Sequence, residues 1–357
     1  MSNYVYKPIK INHSNFYSIF NGNTGYYIRS DIKDNPGVDA FMSEFPELID
    51  IGIMETCVCS NKCKVDCYQK ACDRVGNNMR LEDYVRIIEE CKGKVMQVAL
   101  GGAGDPDTHE NFSEILRITA EANIVPNFTT SGIAFTNDKA KLCREYCGAV
   151  AVSEHFADYT DKAVNMLINN GVKTNIHYVL NKDTIDKAID ILSTGNYRKG
   201  INAIVFLLYK PVGLGKLEKI LTYDNPKVQK FFKLVGNHKC KFKIGFDSCS
   251  CSALVNLSNN INLQSIDFCE GARFSMYISA DMKAYPCSFA NQSNTGFSLE
   301  DSTIQEAWDS FDYFRNRLEN SCKQCDKRLN CAGGCPLLSS ITLCNRKERD
   351  KIGGILE

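Results

Sequence analysis

Three cysteines recur at even intervals in Cys59-x3-Cys63-x3-Cys67-Tyr68. Three thiolates on one short loop, with no fourth at fixed spacing, suit an iron–sulfur cluster whose remaining iron stays open to a small molecule. A structural zinc site instead closes a tetrahedron, and Cys57 or Cys72 is near enough in sequence to supply its fourth ligand. A denser group follows late in the chain as Cys322-x2-Cys325-x5-Cys331-x3-Cys335, and then Cys344. Ahead of it stand Cys249, Cys251, Cys269 and Cys287. Both groups are soft-ligand sets for metal centres rather than isolated thiols.

The whole chain of 357 residues carries 18 cysteines, and its 42 Lys and Arg balance its 42 Asp and Glu. Met1 to Tyr6 lacks a basic stretch leading into an apolar one, and no apolar run approaches the ~18 residues of a membrane span. These features predict a soluble, cytoplasmic protein. A reducing compartment disfavours a disulfide framework, so metal or cluster ligation is the leading reading of the cysteines. Zero net charge gives no electrostatic footprint for nucleic acid or an anionic membrane. Cys91, Cys143, Cys147 and Cys240 lie outside both groups and are read as packing residues.

The elements that position the first group alternate between strand and helix. Ile51-Gly52-Ile53-Met54 is a short apolar run just before the first cysteines, and Val95 to Leu100 reads as a buried strand. Leu81, Tyr84, Val85, Ile87, Ile88 and Cys91 recur between them at helical spacing. The alternation continues through a helical face from Phe112 to Ile118, a strand from Val125 to Thr129, a helix near 137 to 147 and a strand from Ala149 to Val152. It ends with a helix from Thr160 to Ile168, a strand from Thr174 to Leu180, a helix from Thr184 to Leu192 and a strand from Ala203 to Leu208. Six βα units in series predict an α/β fold built as a partial (β/α)6 TIM-like barrel, with ligands at the carboxyl ends of its strands; an open doubly wound sheet is the alternative.

The second strand closes on Gly101-Gly102-Ala103-Gly104-Asp105-Pro106. Consecutive glycines let a backbone approach a ligand closely, although a glycine pair also makes an ordinary strand-to-helix turn. Ser131 and Ser153 stand at the ends of the third and fourth strands. His155 is weighed as a proton shuttle against an ordinary structural histidine, and His13, His109, His177 and His238 show no pairing and receive no role.

The expected division is an N-terminal β-hairpin and extension over 1–48, a barrel over 49–236 and a cysteine-rich, cluster-held region over 237–357. In the first part, Phe16 to Ile28 flank Asn21-Gly22-Asn23-Thr24-Gly25 as a hairpin. The last part has one long predicted helix, Ile304 to Leu318.

The Cys59 loop resembles the signature of the radical SAM superfamily, with one more residue between Cys63 and Cys67 than that Cys-x3-Cys-x2-Cys pattern has. The late cysteines resemble the SPASM extension of such enzymes, whose usual glycine is replaced here by Met282, so a less tightly turned hairpin is expected. The resemblance runs from about Ile51 to Cys344. It implies three 4Fe-4S clusters and S-adenosyl-L-methionine as cofactors. Cys59, Cys63 and Cys67 would bind the radical cluster. Cys322, Cys325, Cys331 and Cys344 would hold one auxiliary cluster, and Cys269, Cys287, Cys335 and Cys249 the other, with Cys251 as the alternative to Cys249 or with one iron open. Gly101 and Gly102, Ser131 and Ser153 would line the cofactor, with Asp105 compensating for the family's glutamate, which is Ala103 here.

The activity implied is cleavage of S-adenosylmethionine to a 5′-deoxyadenosyl radical that abstracts hydrogen from a ribosomally made peptide, installing a thioether or carbon–carbon crosslink. Dehydrogenation or epimerisation of a peptide or small molecule by the same radical is the alternative. A zinc-stapled binding protein without catalysis is the second. Sulfatase-maturing members carry an Asp directly after the cysteine matching Cys287; Ser288 stands there instead and counts against formylglycine chemistry. The implied partners are a precursor peptide, which the N-terminal hairpin is expected to dock as an added strand, and a reductant such as flavodoxin or ferredoxin. No residue is assigned as the catalytic base.

Overall fold

Burial alternates residue by residue along Phe16–Asn21, the pattern of a strand with one face on a core. This strand, β2, pairs antiparallel with β1 (Ile9–Asn12) on one side and with β3 (Tyr26–Asp31) on the other. The β2–β3 turn closes through Asn21, whose carbonyl accepts from the amides of Thr24 at 3.2 Å and Gly25 at 2.8 Å. Gly25 adopts φ +76°, which a side chain would resist. The expected hairpin is present, extended by β1 into a three-stranded sheet.

The computed structural model describes residues 3–31, 42–58, 63, 65–292, 296–315 and 320–345. Contacts gather them into two units that interleave along the chain. Unit 1 takes residues 1–65, 69–175 and 271–315, and unit 2 takes 66–68, 176–270 and 316–357.

Unit 1 contains β4 (Leu48–Met54), α1 (Leu81–Cys91), β5 (Gln97–Gly102), α2 (Phe112–Glu121), β6 (Val125–Thr130), α3 (Asn137–Tyr146), β7 (Val150–Ser153) and α4 (Ala157–Asn169). The strands pair in parallel, with Asp50 opposite Ala99 and Ala99 opposite Asn127. Ile49, Ile51 and Ile53 are 0% exposed, whereas Leu48 and Asp50 keep partial exposure. One face of β4 is therefore sealed, and the other is half-buried at Leu48 and Asp50 before closing at Gly52 and Met54.

Unit 2 receives the chain within β8 (Thr174–Leu180) and continues through α5 (Ile185–Thr194), β9 (Ala203–Leu208), α6 (Pro226–Val235), β10 (Lys243–Phe246) and α7 (Cys251–Leu257). A cluster of rings holds it, with Phe206 5.1 Å from Phe231 and 5.6 Å from Phe246 between centroids. Six βα units thus run in series from β4 to α6, and the α/β partial-barrel expectation holds.

The chain then returns to unit 1. There β11 (Ser275–Ile278) lies parallel to β4, with Tyr277 opposite Asp50, and continues into β12 (Lys283–Tyr285) and β13 (Phe297–Ser298). Met282 does not loosen the β11–β12 turn as expected. It sits at φ +55°, donates its amide to the Ser279 carbonyl at 3.0 Å, and the Ser279 amide reaches the Lys283 carbonyl at 2.9 Å. Burial of its side chain compensates for a backbone conformation that costs an L residue roughly 1 kcal/mol.

The predicted helix from Ile304 to Leu318 is two pieces, α8 (Ile304–Asp309) and α9 (Asp312–Arg315); residues 316–319 lie outside the described set. A Thr303–Glu306 capping box opens α8. Arg315 folds back onto the carbonyls of Trp308 and Ala272, joining the Phe311 amide at the Trp308 carbonyl where a continuous helix would have placed the amide four residues on. Two further short helices, α10 (Asn320–Lys323) and α11 (Arg328–Cys331), belong to unit 2.

Candidate cofactor and cluster site

The glycine loop lies directly against the start of the cysteine loop in unit 1. Gly52 pairs with Gly101 and Met54 with Gly102, and the Ala103 amide donates to the Met54 carbonyl at 2.8 Å. Gly102 sits at φ +118°, where a Cβ would collide with the Met54 backbone; one on Gly104 would strike the Thr56 carbonyl. Gly101 differs, since nothing lies within 4 Å of where its Cβ would be. A backbone open at Gly101 and braced at Gly102 and Gly104 leaves room for a ligand at the end of β5.

Asp105 and Ser131 engage each other: Asp105 Oδ1 accepts from the Ser131 amide at 2.8 Å, and Oδ2 accepts from its hydroxyl. Burial pushes Asp105 up to about 6, against the pull of the Ser131 hydrogen bonds. A carboxylate has about four acceptor positions, so the pair fastens the β5 loop to the end of β6 and retains capacity for an amino group. Ser153 closes β7 and accepts at its carbonyl from Thr160 Oγ1 at 2.8 Å. His155 follows it, and burial lowers its pKa. His13, expected to have no partner, bonds Glu47 at 3.0 Å.

Cys59 lies outside the described residues. Cys63 is half-buried in unit 1, while Cys67 belongs to unit 2, where its carbonyl accepts from the Leu214 amide at 3.0 Å. Cys57 is half-buried, and Cys72 is exposed.

Below the glycine loop, Asp50 lies on the face of β4 opposite Ile49, Ile51 and Ile53. The residue is half-buried, and its carboxyl lies deep among protein atoms. Neither β5, with Gln97 and Ala99 there, nor β11, with Ser275 and Tyr277, sets a cation beside it among the described residues. Burial alone pushes it up to about 7. No sequence pattern marked this residue.

In unit 2 the thiols of Cys249 and Cys335 meet, and this contact together with burial raises Cys249 well above the ordinary thiol range. The family resemblance implies Cys335 for one auxiliary set, with Cys249 preferred over Cys251 as its fourth member. Cys251, the alternative to Cys249, meets Cys331, with Cys269 and Cys249 close enough to act on its charge. Cys331 had been grouped with Cys322, Cys325 and Cys344 instead. The Cys325 amide closes a turn onto the Cys322 carbonyl at 3.1 Å, and Cys344 is half-buried. Cys269 lies in unit 2, while Cys287, half-buried after β12, lies in unit 1. Among the described residues, no three Cys, His, Asp or Glu side chains gather closely enough to hold a single metal ion. Paired and buried or half-buried thiols are the donor chemistry of an iron–sulfur cluster. Cys91, Cys143 and Cys147 are buried, as packing residues are.

Lys210, also unmarked in the sequence, is buried close enough to Cys249 and Cys335 to interact with them electrostatically. Its ammonium donates to Asp247 Oδ2 at 2.6 Å and to the Leu208 carbonyl at 2.8 Å.

No protein-family model and no curated protein matches the chain. Solved structures do. The fold is similar to Streptococcus suis SuiB bound to S-adenosylmethionine, at 15% identity over 93% of this chain and 95% of that one, with a TM-score of 0.69. It is equally similar to SuiB bound to precursor peptide SuiA, at 14% identity over the same shares and a TM-score of 0.69. The structure of anSMEcpe with bound AdoMet and Cp18Cys peptide gives 18% identity over 83% of this chain and 90% of that one, with a TM-score of 0.56. At these identities the likeness is one of fold.

Proposed function

We propose that the chain is a radical SAM enzyme that modifies a ribosomally made peptide, installing a thioether or carbon–carbon crosslink. The observation that carries the reading is the junction of β4 and β5. A loop rich in cysteine leaves one strand where an open, braced glycine turn ends the next, on a fold shared with structures that hold S-adenosylmethionine. Cys59, Cys63 and Cys67 would hold the cluster that binds this cofactor, and when bound the cofactor supplies a deoxyadenosyl radical able to take hydrogen from an unactivated carbon.

The chain's own residues bind and orient. The backbone at Gly101 faces the cofactor, while Asp105, held by Ser131, offers its remaining lone pairs to the cofactor's amino group. Ser153 lies at the neighbouring strand end. The late cysteines would carry two auxiliary clusters, and a reduced flavodoxin or ferredoxin would deliver the electron.

A peptide substrate is supported by the neighbours of this fold that were solved with peptides bound, SuiB with SuiA and anSMEcpe with Cp18Cys. Ser288 after Cys287 counts against formylglycine formation. Iron and acid-labile sulfide, measured per chain after anaerobic reconstitution, test the reading. About twelve irons should fall to about eight in the Cys59/Cys63/Cys67→Ala variant, since each cluster carries four. The same variant should lose formation of 5′-deoxyadenosine. Stoichiometric zinc with little iron would establish the zinc-held binding protein instead.

A further inference from the structure

Unit 2 holds a buried charge that its packing does not require. The Lys210 side chain is 4% exposed, and Asp247, which pairs with it, also accepts from the Leu208 amide and from Ser250 Oγ at 2.8 Å. Replacing such a pair by apolar side chains often leaves stability unchanged or improves it, so the charge asks for another reason. The Asp247 carboxylate, 2.6 Å from the ammonium, balances its charge within the fold. Asp247 leads directly into the Ser248–Ser250 turn that carries Cys249, and Ser250 bonds the same carboxylate, so the ion pair is built onto the segment whose Cys249 thiol meets that of Cys335.

We propose that Lys210 is a positioning residue that tunes the electron affinity of the auxiliary cluster held by Cys249 and Cys335. The inference rests on the cluster reading given above and adds the direction of the effect. Reduction adds negative charge to a cluster in a medium of low dielectric constant. A fixed cation beside its thiolates stabilises the reduced state and raises the potential, and a fixed anion lowers it. Lys210 and Asp247 therefore pull in opposite directions, and their pairing sets the balance.

The test is a redox titration followed by electron paramagnetic resonance on the anaerobically reconstituted full chain, with iron counted in each sample. Lys210→Met should move one auxiliary midpoint to more negative potential, Asp247→Asn should move the same signal to more positive potential, and Lys210→Arg should leave it near the wild type. A merely structural pair would not give shifts of opposite sign. Unchanged midpoints at full iron content, or shifts of one sign in both variants, would overturn the inference. Should Lys210→Met fail to load iron, the sign of the Asp247→Asn shift still decides. A wild type that binds no iron would overturn the cluster reading and this inference with it.

Discussion

Asp50 makes the clearest claim at the scale of a single residue. An unfolded aspartate titrates near 3.9, and burial moves Asp50 up to about 7 in the fold. The sign follows from linkage: its contribution to stability is complete below about pH 4 and is lost as pH rises through about 7. Wild type should therefore lose roughly 2.5 kcal/mol relative to Asp50→Asn between pH 5 and pH 8. Urea unfolding of both proteins at the two pH values checks this, and an equal change in both would refute it. The cysteine groups were legible in the sequence because their spacing is regular, and the fold brings the Cys249 thiol to that of Cys335. Asp50, Lys210 and Asp247 were not, because a lone charged residue looks the same in sequence on a solvated surface and beside a buried site.

At the scale of elements, the N-terminal sheet is fastened through one carboxylate. Glu47, just ahead of β4, accepts from Ser18 Oγ, Tyr27 Oη and Arg29 Nε, the last at 3.2 Å, as well as bonding His13. Burial would raise Glu47, but the His13 hydrogen bond, the Arg29 charge and the two hydroxyls outweigh it and hold the group at about 2. Its contribution is present above about pH 4.5 and lost as pH falls through about 2, the reverse of Asp50. Glu47→Gln should cost about 3 kcal/mol at neutral pH, read as faster amide exchange in β1 to β3, while β5 and β6 stay protected. Uniform exchange across the sheet would count against this anchoring role. The hairpin was visible from Asn21 to Gly25 because turn chemistry is local. Its attachment was not, since Glu47, His13 and Arg29 meet only after the chain folds. The break between α8 and α9 was hidden for the same reason, as Arg315 competes for the Trp308 carbonyl from across the turn.

Over the whole molecule, the six βα units could be read from apolar periodicity because each strand and helix buries one face. The cysteine-rich end could not, because α10 and α11 have four residues each, too few to persist on helical propensity. Metal ligation would supply that order. Removing iron from the reconstituted protein should expose the amides of 320–345 to rapid exchange and leave β4 to β7 protected; protection unchanged at 320–345 would refute it. The strand pairing has one more consequence, which concerns time rather than chemistry. β4 is flanked by β5 on one side and by β11 on the other, yet β11 leaves the ribosome only after all six βα units. Until then the strand that leads into the cysteine loop presents an open hydrogen-bonding edge, the kind that recruits other chains. Its closure is a long-range event that comes late in synthesis. A ribosome-bound chain halted before Ser275 is thus the form of this protein most in need of a chaperone.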